Sequence, residues 1–310
     1  MTDNKIYDVV IVGGGPAGLE AAVYTSRAGK STVVIERDVV GGRIIESPSV
    51  KNIPGFTSVD GADFAKNLEE QAEICGCEFV YDNVIDVEVK YGLFFVKTEY
   101  DEQYVSRTLI IATGTKNRSL GLPNEEKYIG KGVAFCTVCD APFFAGKNVA
   151  VVGGGNSAVT NAIELAKIAK SVTIIQNLGK LTAEKALLLQ LDAINREKNN
   201  IDIILGKTIY EYKEDSDGKF CGVVLDDLDE VMVDGLFISI GMVPDNGAFS
   251  KVVKLDDDGY IITSDSPQFE STTTSGVFAC GDCRSGSYKQ VAVACGEAAV
   301  AALNAIHELN

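Results

Sequence analysis

Histidine and positive charge are both scarce in this chain. His307 is its single histidine, and 28 lysines and arginines stand against 44 aspartates and glutamates, a net charge of −16. Nucleic acid is therefore not expected as a partner, because phosphate binding needs cationic surface. An anionic membrane or an acidic protein would also be repelled unless basic groups cluster locally. No apolar run approaches the roughly 18–20 residues of a membrane span. The opening "MTDNKIYDVVIVGGG" carries no signal-peptide cleavage pattern, and its apolar run leads straight into a glycine turn. The expectation is a cytoplasmic protein without membrane association.

The lone histidine also bears on metals. Eight cysteines lie at 75, 77, 136, 139, 221, 280, 283 and 295, which in a cytosolic chain of this size is no disulfide framework. Most need only be small buried apolar groups. Two pairs, Cys136/Cys139 and Cys280/Cys283, have the C-x-x-C spacing that raises the question of zinc. Zinc draws sulfur and nitrogen ligands from nearby knuckles. These pairs are far apart in sequence and the histidine lies near the C-terminus, so no metal is expected.

What the chain does contain is a repeat. Its 310 residues, 46% hydrophobic and 23% charged, have globular composition and suit two domains. Residues 7–37 and 147–177 align without a gap at a constant offset of 140. Each has a β-rich run, a triple glycine, a helical stretch with alanines, and a second β-rich run. This is the βαβ unit of a dinucleotide-binding fold, occurring twice. In the first unit Gly13, Gly15 and Gly18 form G-x-G-x-x-G around Pro16 and Ala17. The first glycine permits the tight turn, the second lets backbone approach a pyrophosphate, and the third allows close helix–strand packing. The pyrophosphate would sit at the helix N-terminus. Glu36 ends the second run, where a carboxylate can accept from ribose hydroxyls.

The second unit keeps Gly153, Gly155 and Ala158, a G-x-G-x-x-A turn, but the position matching Glu36 is Gln176. A site for NAD wants a carboxylate there and one for NADP wants arginine. Gln176, Asn177 and Leu178 offer neither, and Lys180 is the nearby cation.

Together with "AFCTVCDAPFF" (134–144), "GGRIIESPSVKNIPGF", "IIATGTKNRSLGLP", "GGGNSA", "FACGDC" and "KQVAVACGEAA", these features resemble the low-molecular-weight thioredoxin reductases over nearly the whole chain. The resemblance implies an α/β fold of two Rossmann-like, three-layer dinucleotide-binding domains, the second inserted into the first. An FAD domain would span 1–113 plus 246–310, and a redox domain carrying Cys136 and Cys139 would span 114–245. It also implies a homodimer and thioredoxin as the partner. FAD contacts are implied at Glu36, Arg37, Gly42, Arg43, Asn52, Val84, Thr113, Gly114, Gly281, Asp282, Lys289, Gln290 and Val291, beside the 13–18 turn. Asp282 would bind the ribityl chain, and the helix after Lys289 would aim its positive end at the flavin pyrimidine.

Two thiols separated by two residues can close a small disulfide, and flanking dipoles can depress one thiol pKa. By resemblance Asp140 is the general acid/base that protonates the departing thiolate. The same resemblance implies that Cys139 would be the flavin-facing sulfur, and leaves open which thiol first attacks thioredoxin, with Cys139 favoured. Cys280 and Cys283 read as packing rather than as an auxiliary redox pair.

The family's NADPH-dependent members carry His-Arg-Arg-x-x-x-Arg after the second strand of the middle domain. Those basic positions fall here on Gln176, Asn177, Leu178 and Thr182. In this the chain resembles the ferredoxin-dependent flavin thioredoxin reductases, which implies reduced ferredoxin as donor. Acidic ferredoxin would need a basic patch, for which Lys116, Arg118, Lys127 and Lys131 are candidates. The alternative is an NAD(P)H-dependent reductase, of thioredoxin or of a peroxidase partner, with atypical nucleotide contacts. From another class, the chain would be a flavin-binding interaction protein without turnover.

Overall fold

The computed structural model describes residues 5–47, 49–264 and 271–310, with their side chains except those of Val138 and Cys139. The chain forms two compact units, Met1–Lys116 with Val243–Asn310, and Asn117–Met242. The sequence reading puts these changes at 113/114 and 245/246.

The first unit opens with β1 (Ile6–Val12), α1 (Pro16–Arg27) and β2 (Thr32–Glu36). Val9, Val10 and Ile11 are fully buried, as expected for a parallel strand covered on both faces. Pro16 stands in the first turn of α1, where no backbone N–H is needed. α2 (Gly61–Ile74) is capped by the Asp60 carboxylate, which accepts from the N–H groups of Ala62 and Asp63. There follow β3 (Glu78–Tyr81), β4 (Val84–Lys90), β5 (Leu93–Thr98) and β6 (Gln103–Ile111). The strands lie in the order β3-β2-β1-β6-β5-β4. Pairing is parallel from β3 to β6, with Ile11 opposite Val34 and Ile110, and antiparallel from β6 to β4.

The second unit contains β7 (Val133–Ala134), α3 (Thr137–Asp140), β8 (Asn148–Val152), α4 (Asn156–Ala166) and β9 (Ser171–Gln176). It continues through α5 (Lys185–Lys198), β10 (Ile201–Leu205), β11 (Ile209–Glu214), β12 (Phe220–Leu225), β13 (Glu230–Met232) and β14 (Gly235–Ile238). An all-parallel sheet runs β10-β9-β8-β14-β7. Along β8, Val149 and Val151 join the core shared with Ala158, Val159 and Leu191 of α4 and α5. Ala150 and Val152 join the opposite core, with Tyr212 and Val223 of the antiparallel β11-β12-β13 sheet. The strand's alternation thus feeds two layers, one helical and one of strands.

Back in the first unit, β15 (Val277–Ala279) pairs in parallel with the second half of β6, and α6 (Val291–Glu308) follows. By length and composition α6 is apolar enough to cross a membrane, against the expectation that no apolar run approaches a span. It carries seven alanines, and five of them, at 294, 298, 301, 302 and 305, pack in one cluster with Ala17, Ala21 and Ala22 of α1. The alanine face of α6 is therefore a core face.

The repeat is geometric as well as sequential. Gly13 and Gly153 have φ of +101° and +120°. Their N–H groups donate to Ile35 and Ile175 carbonyls at 2.8 and 2.9 Å. The carbonyls of Gly14 and Gly154 accept from Gly41 and Thr182 N–H groups, each at 2.7 Å.

Candidate active site

The C-terminal ends of β1 and β2 shape the first dinucleotide turn. A Cβ at Gly13 would stand 2.4 Å from the Ala112 carbonyl oxygen, and one at Gly18 only 1.8 Å from that of Gly13. At Gly15 a Cβ would meet nothing within 4 Å, so the turn is open on the side where a phosphate approaches. No side chain caps α1, which leaves its N-terminal dipole available to an anion. Glu36 accepts from Gly14 N–H at 2.6 Å and Asp38 N–H at 2.9 Å. A carboxylate has about four lone-pair sites, so it keeps acceptor capacity for hydroxyls. A cavity of about 260 Å³ opens beside it, lined among others by Glu36, Arg37, Asn83, Val84 and Thr113. An open phosphate turn, a carboxylate reader and an adjoining cavity fit an adenine dinucleotide.

Arg37 is pinned at this cavity by Asp38 at 3.0 Å and Asp245 at 3.2 Å. Lys116 reaches the same Asp245 oxygen at 3.0 Å. Burial pushes the Asp245 carboxyl up, but Lys116 and Arg37 outweigh it and hold the group below its usual range. Gly42 (φ +58°) leaves room for Gly15, whose Cα is 3.1 Å from where a Gly42 Cβ would lie. The Asn52 amide donates to Gln290 at 2.8 Å, and Thr113 Oγ1 donates to Asn246 at 2.9 Å. Gly114 (φ +64°) is open around its Cβ position, and Val291 packs on the cluster holding Leu19, Ile44 and Ile53.

A 3-10 turn over Gly281–Cys283 brings the second anticipated element to the first. Gly281 has φ +75°, and a Cβ there would stand 3.0 Å from that of Ala17. Burial pushes the Asp282 carboxyl up, Lys289 and Arg43 pull it back, and Glu297 adds to the rise. Lys289 is engaged within the turn, donating to the carbonyls of Asp282 at 2.6 Å and Arg284 at 3.4 Å. Its ammonium lies 4.3 Å from the Tyr260 ring centroid. No motif of the sequence assigns a role to Glu297, Arg284 or Tyr260. The one signal was an acid inside the otherwise uncharged stretch "VAVACGEAAVAALNA".

Cys280 and Cys283 are fully buried and neither forms a disulfide. Burial pushes the Cys283 thiol up to about 11, and it donates to the carbonyls of Ile111 and Cys280 at 3.4 and 3.2 Å. A thiol held this protonated is a poor nucleophile.

In the second unit a Cβ at Gly155 would meet nothing nearer than Thr182 Oγ1, at 3.9 Å, and Gln176 takes the place that Glu36 holds in the first. The Gln176 side chain, 5% exposed, lies over Gly154, where a Cβ would meet its amide nitrogen at 2.4 Å. Its oxygen accepts from Asn177 N–H at 3.1 Å, and its nitrogen donates to the Lys180 carbonyl at 3.5 Å. The Asn156 amide, at the start of α4, donates to Glu184 at 2.9 Å. Leu178 is half exposed. Of the suggested basic patch, Lys127 pairs with Glu214 and Lys116 with Asp245, which leaves less positive surface than the sequence implied.

Cys136 is disulfide-bonded and directly precedes α3. The Cys139 side chain lies outside those described. The Asp140 N–H donates to the Cys136 carbonyl at 3.0 Å. Burial pushes the Asp140 carboxyl up, opposed by a bond from the Cys136 backbone. A carboxyl with a raised pKa can hold a proton for a leaving thiolate. Among the described residues, no three His, Cys, Asp or Glu side chains converge as for a metal ion.

Residues 7–298 match the family model described as pyridine nucleotide-disulphide oxidoreductase. The chain is 39% identical to the thioredoxin reductase of Bacillus subtilis (strain 168), covering 99% of this chain and 96% of that one. It is 40% identical to the Listeria monocytogenes thioredoxin reductase, covering 98% and 94%. Among solved structures, Lactococcus lactis thioredoxin reductase superposes with a TM-score of 0.86 at 34% identity, over 98% and 99% of the two chains. That of T. acidophilum gives 0.83 at 35%, with the same coverage. By sequence over nearly all of its residues and by fold, the chain belongs to the pyridine nucleotide-disulphide oxidoreductase family, among its low-molecular-weight thioredoxin reductases, and its cofactor is FAD.

Proposed function

We propose that the chain reduces thioredoxin through Cys136 and Cys139, as a cytoplasmic homodimer. The observation that carries this reading is a disulfide-bonded Cys136 opening C-T-V-C-D, in a chain aligned end to end with proteins named thioredoxin reductase. When bound, FAD supplies both one- and two-electron chemistry. Two electrons and two protons open the Cys136 disulfide to a dithiol. One thiolate attacks the thioredoxin disulfide, forming a mixed disulfide, and the other resolves it, releasing thioredoxin as a dithiol. Asp140 is suited to return the proton to the departing thiolate. The 13–18 turn, Glu36 and Asp282 would hold the pyrophosphate, ribose and ribityl groups.

On the donor, the comparisons back a pyridine nucleotide more directly than ferredoxin, since the family description names the former and none of the relatives above is named for the latter. The expectation of a ferredoxin-dependent subgroup therefore gives way to its alternative, an NAD(P)H-dependent thioredoxin reductase with atypical nucleotide contacts. One observation keeps ferredoxin as a second reading. Gln176 replaces the carboxylate that reads the first turn, and no arginine follows it at 177, 178 or 182. Both readings share a consequence, because each missing charged contact is worth about 1.5–3 kcal/mol. NADPH should bind no more tightly than NADH. The experiment is anaerobic titration of native protein and Cys136→Ser with NADH, NADPH and reduced ferredoxin, followed by addition of thioredoxin. Flavin bleaching by micromolar NADH or NADPH establishes the first reading, and bleaching by ferredoxin alone establishes the second. Thioredoxin should reoxidise the native flavin and not that of Cys136→Ser. A variant that still reduced thioredoxin at the native rate would sink the dithiol role.

A further inference from the structure

We propose that Glu297 is a positioning residue for the flavin, locking the 281–284 turn and setting the charge that the bound cofactor meets there; the inference rests on FAD being the cofactor. Glu297 stands on the second turn of α6, and its side chain is 12% exposed, against 13% for its ion partner Arg284. Its helical neighbours Ala294, Ala298 and Ala301 belong to the apolar core. A charge in such surroundings is costly unless paired and hydrogen-bonded.

Both oxygens are committed. Oε2 accepts from Gly281 N–H at 2.8 Å, and Oε1 faces the Arg284 guanidinium at 3.6 Å. Gly281 is the residue that packs against Ala17 of the first dinucleotide turn, so the lock ties α6 to the phosphate turn through one backbone N–H. From the other side Lys289 holds the carbonyls of Asp282 and Arg284. The turn presenting Asp282 is thus clamped at its N–H end by a carboxylate and at its carbonyl end by an ammonium. A neutral acceptor would satisfy Gly281 equally well. The carboxylate adds a fixed negative charge beside Asp282, and a flavin held by this turn would meet that charge more unfavourably in its reduced, more negative form.

The experiment compares native protein, Glu297→Gln and Glu297→Ala by three readouts: FAD dissociation constant, midpoint potential of the bound flavin against a reference dye, and thermal melting of the FAD-free form. Glu297→Gln keeps an acceptor for Gly281, so FAD affinity should stay within about threefold. Its flavin potential should rise, by about 30 mV for each tenfold gain in hold on reduced over oxidised FAD. Glu297→Ala should in addition weaken FAD binding at least tenfold. An unchanged potential in Glu297→Gln overturns the inference, even if Glu297→Ala fails to fold. So does a change confined to the melting of the FAD-free form. Native protein that binds no FAD would overturn the cofactor assignment itself.

Discussion

At Asp140 burial raises the carboxyl, which has opposite consequences for stability and for chemistry. Because the folded pKa lies above the unfolded value, the protonated carboxyl contributes stability that is complete below about pH 4 and is lost as pH climbs through the raised value. Asp140→Asn removes that dependence. Melting temperatures of variant and native protein should converge at the acidic end and separate toward neutral pH, with the variant the more stable. Thioredoxin reduction by the same variant should fall about 100-fold or more, the scale of a lost general acid. A variant less stable than native protein at pH 7 would show that the carboxylate is a structural anchor instead. The same residue-scale reasoning separates the two cysteine pairs. C-x-x-C spacing is identical in both, yet Cys283 is fully buried and pushed up to about 11, a contrast that spacing cannot express.

The two βαβ elements share one backbone plan, and a single position shows how they diverge. Gly18 leaves no space for a methyl group, since its Cβ would fall 1.8 Å from the Gly13 carbonyl oxygen. Its counterpart in α4 is Ala158, fully buried without such a clash. Gly18→Ala must push α1 away from the turn, costing about 1–3 kcal/mol of overpacking and misaligning the N–H groups that face the pyrophosphate. The expected outcome is a lower melting temperature and loss of bound flavin, read by its absorbance after gel filtration. Ala158→Gly should cost about 1 kcal/mol of helix propensity and leave the flavin in place. Equal flavin loss in both variants would contradict the assignment of FAD to the first turn.

Over the whole molecule, 16 carboxylates remain without a balancing cation. Exposed pairs such as Lys251 with Asp86 at 2.6 Å contribute about 0–1 kcal/mol each and weaken with salt. Self-repulsion of the surplus outweighs them, because it acts over the whole surface until screened. Melting temperature should therefore rise as salt goes from about 10 to 150 mM, over which the Debye length falls from about 30 to 8 Å. A fall would mean that ion pairs dominate.

By itself the sequence determined whatever local backbone demands dictate. The glycines of the two turns follow from steric needs within about thirty residues, and the Gln176 substitution, the C-T-V-C-D motif and the 31-residue repeat at an offset of 140 are likewise written in residue type and spacing. The α/β class follows with them, since each unit must cover its parallel strands on both faces. Only the tertiary structure decided which charges meet. Glu297 finds Gly281, Asp245 collects Arg37 and Lys116, and the Gln176 amide folds back on Gly154. Those outcomes depend on burial and on partners that packing brings together from distant segments, and no periodicity encodes them. The alanine face of α6 illustrates both sides: its composition alone fits a membrane span, and its packing on α1 makes it core, because an apolar surface is defined by what covers it.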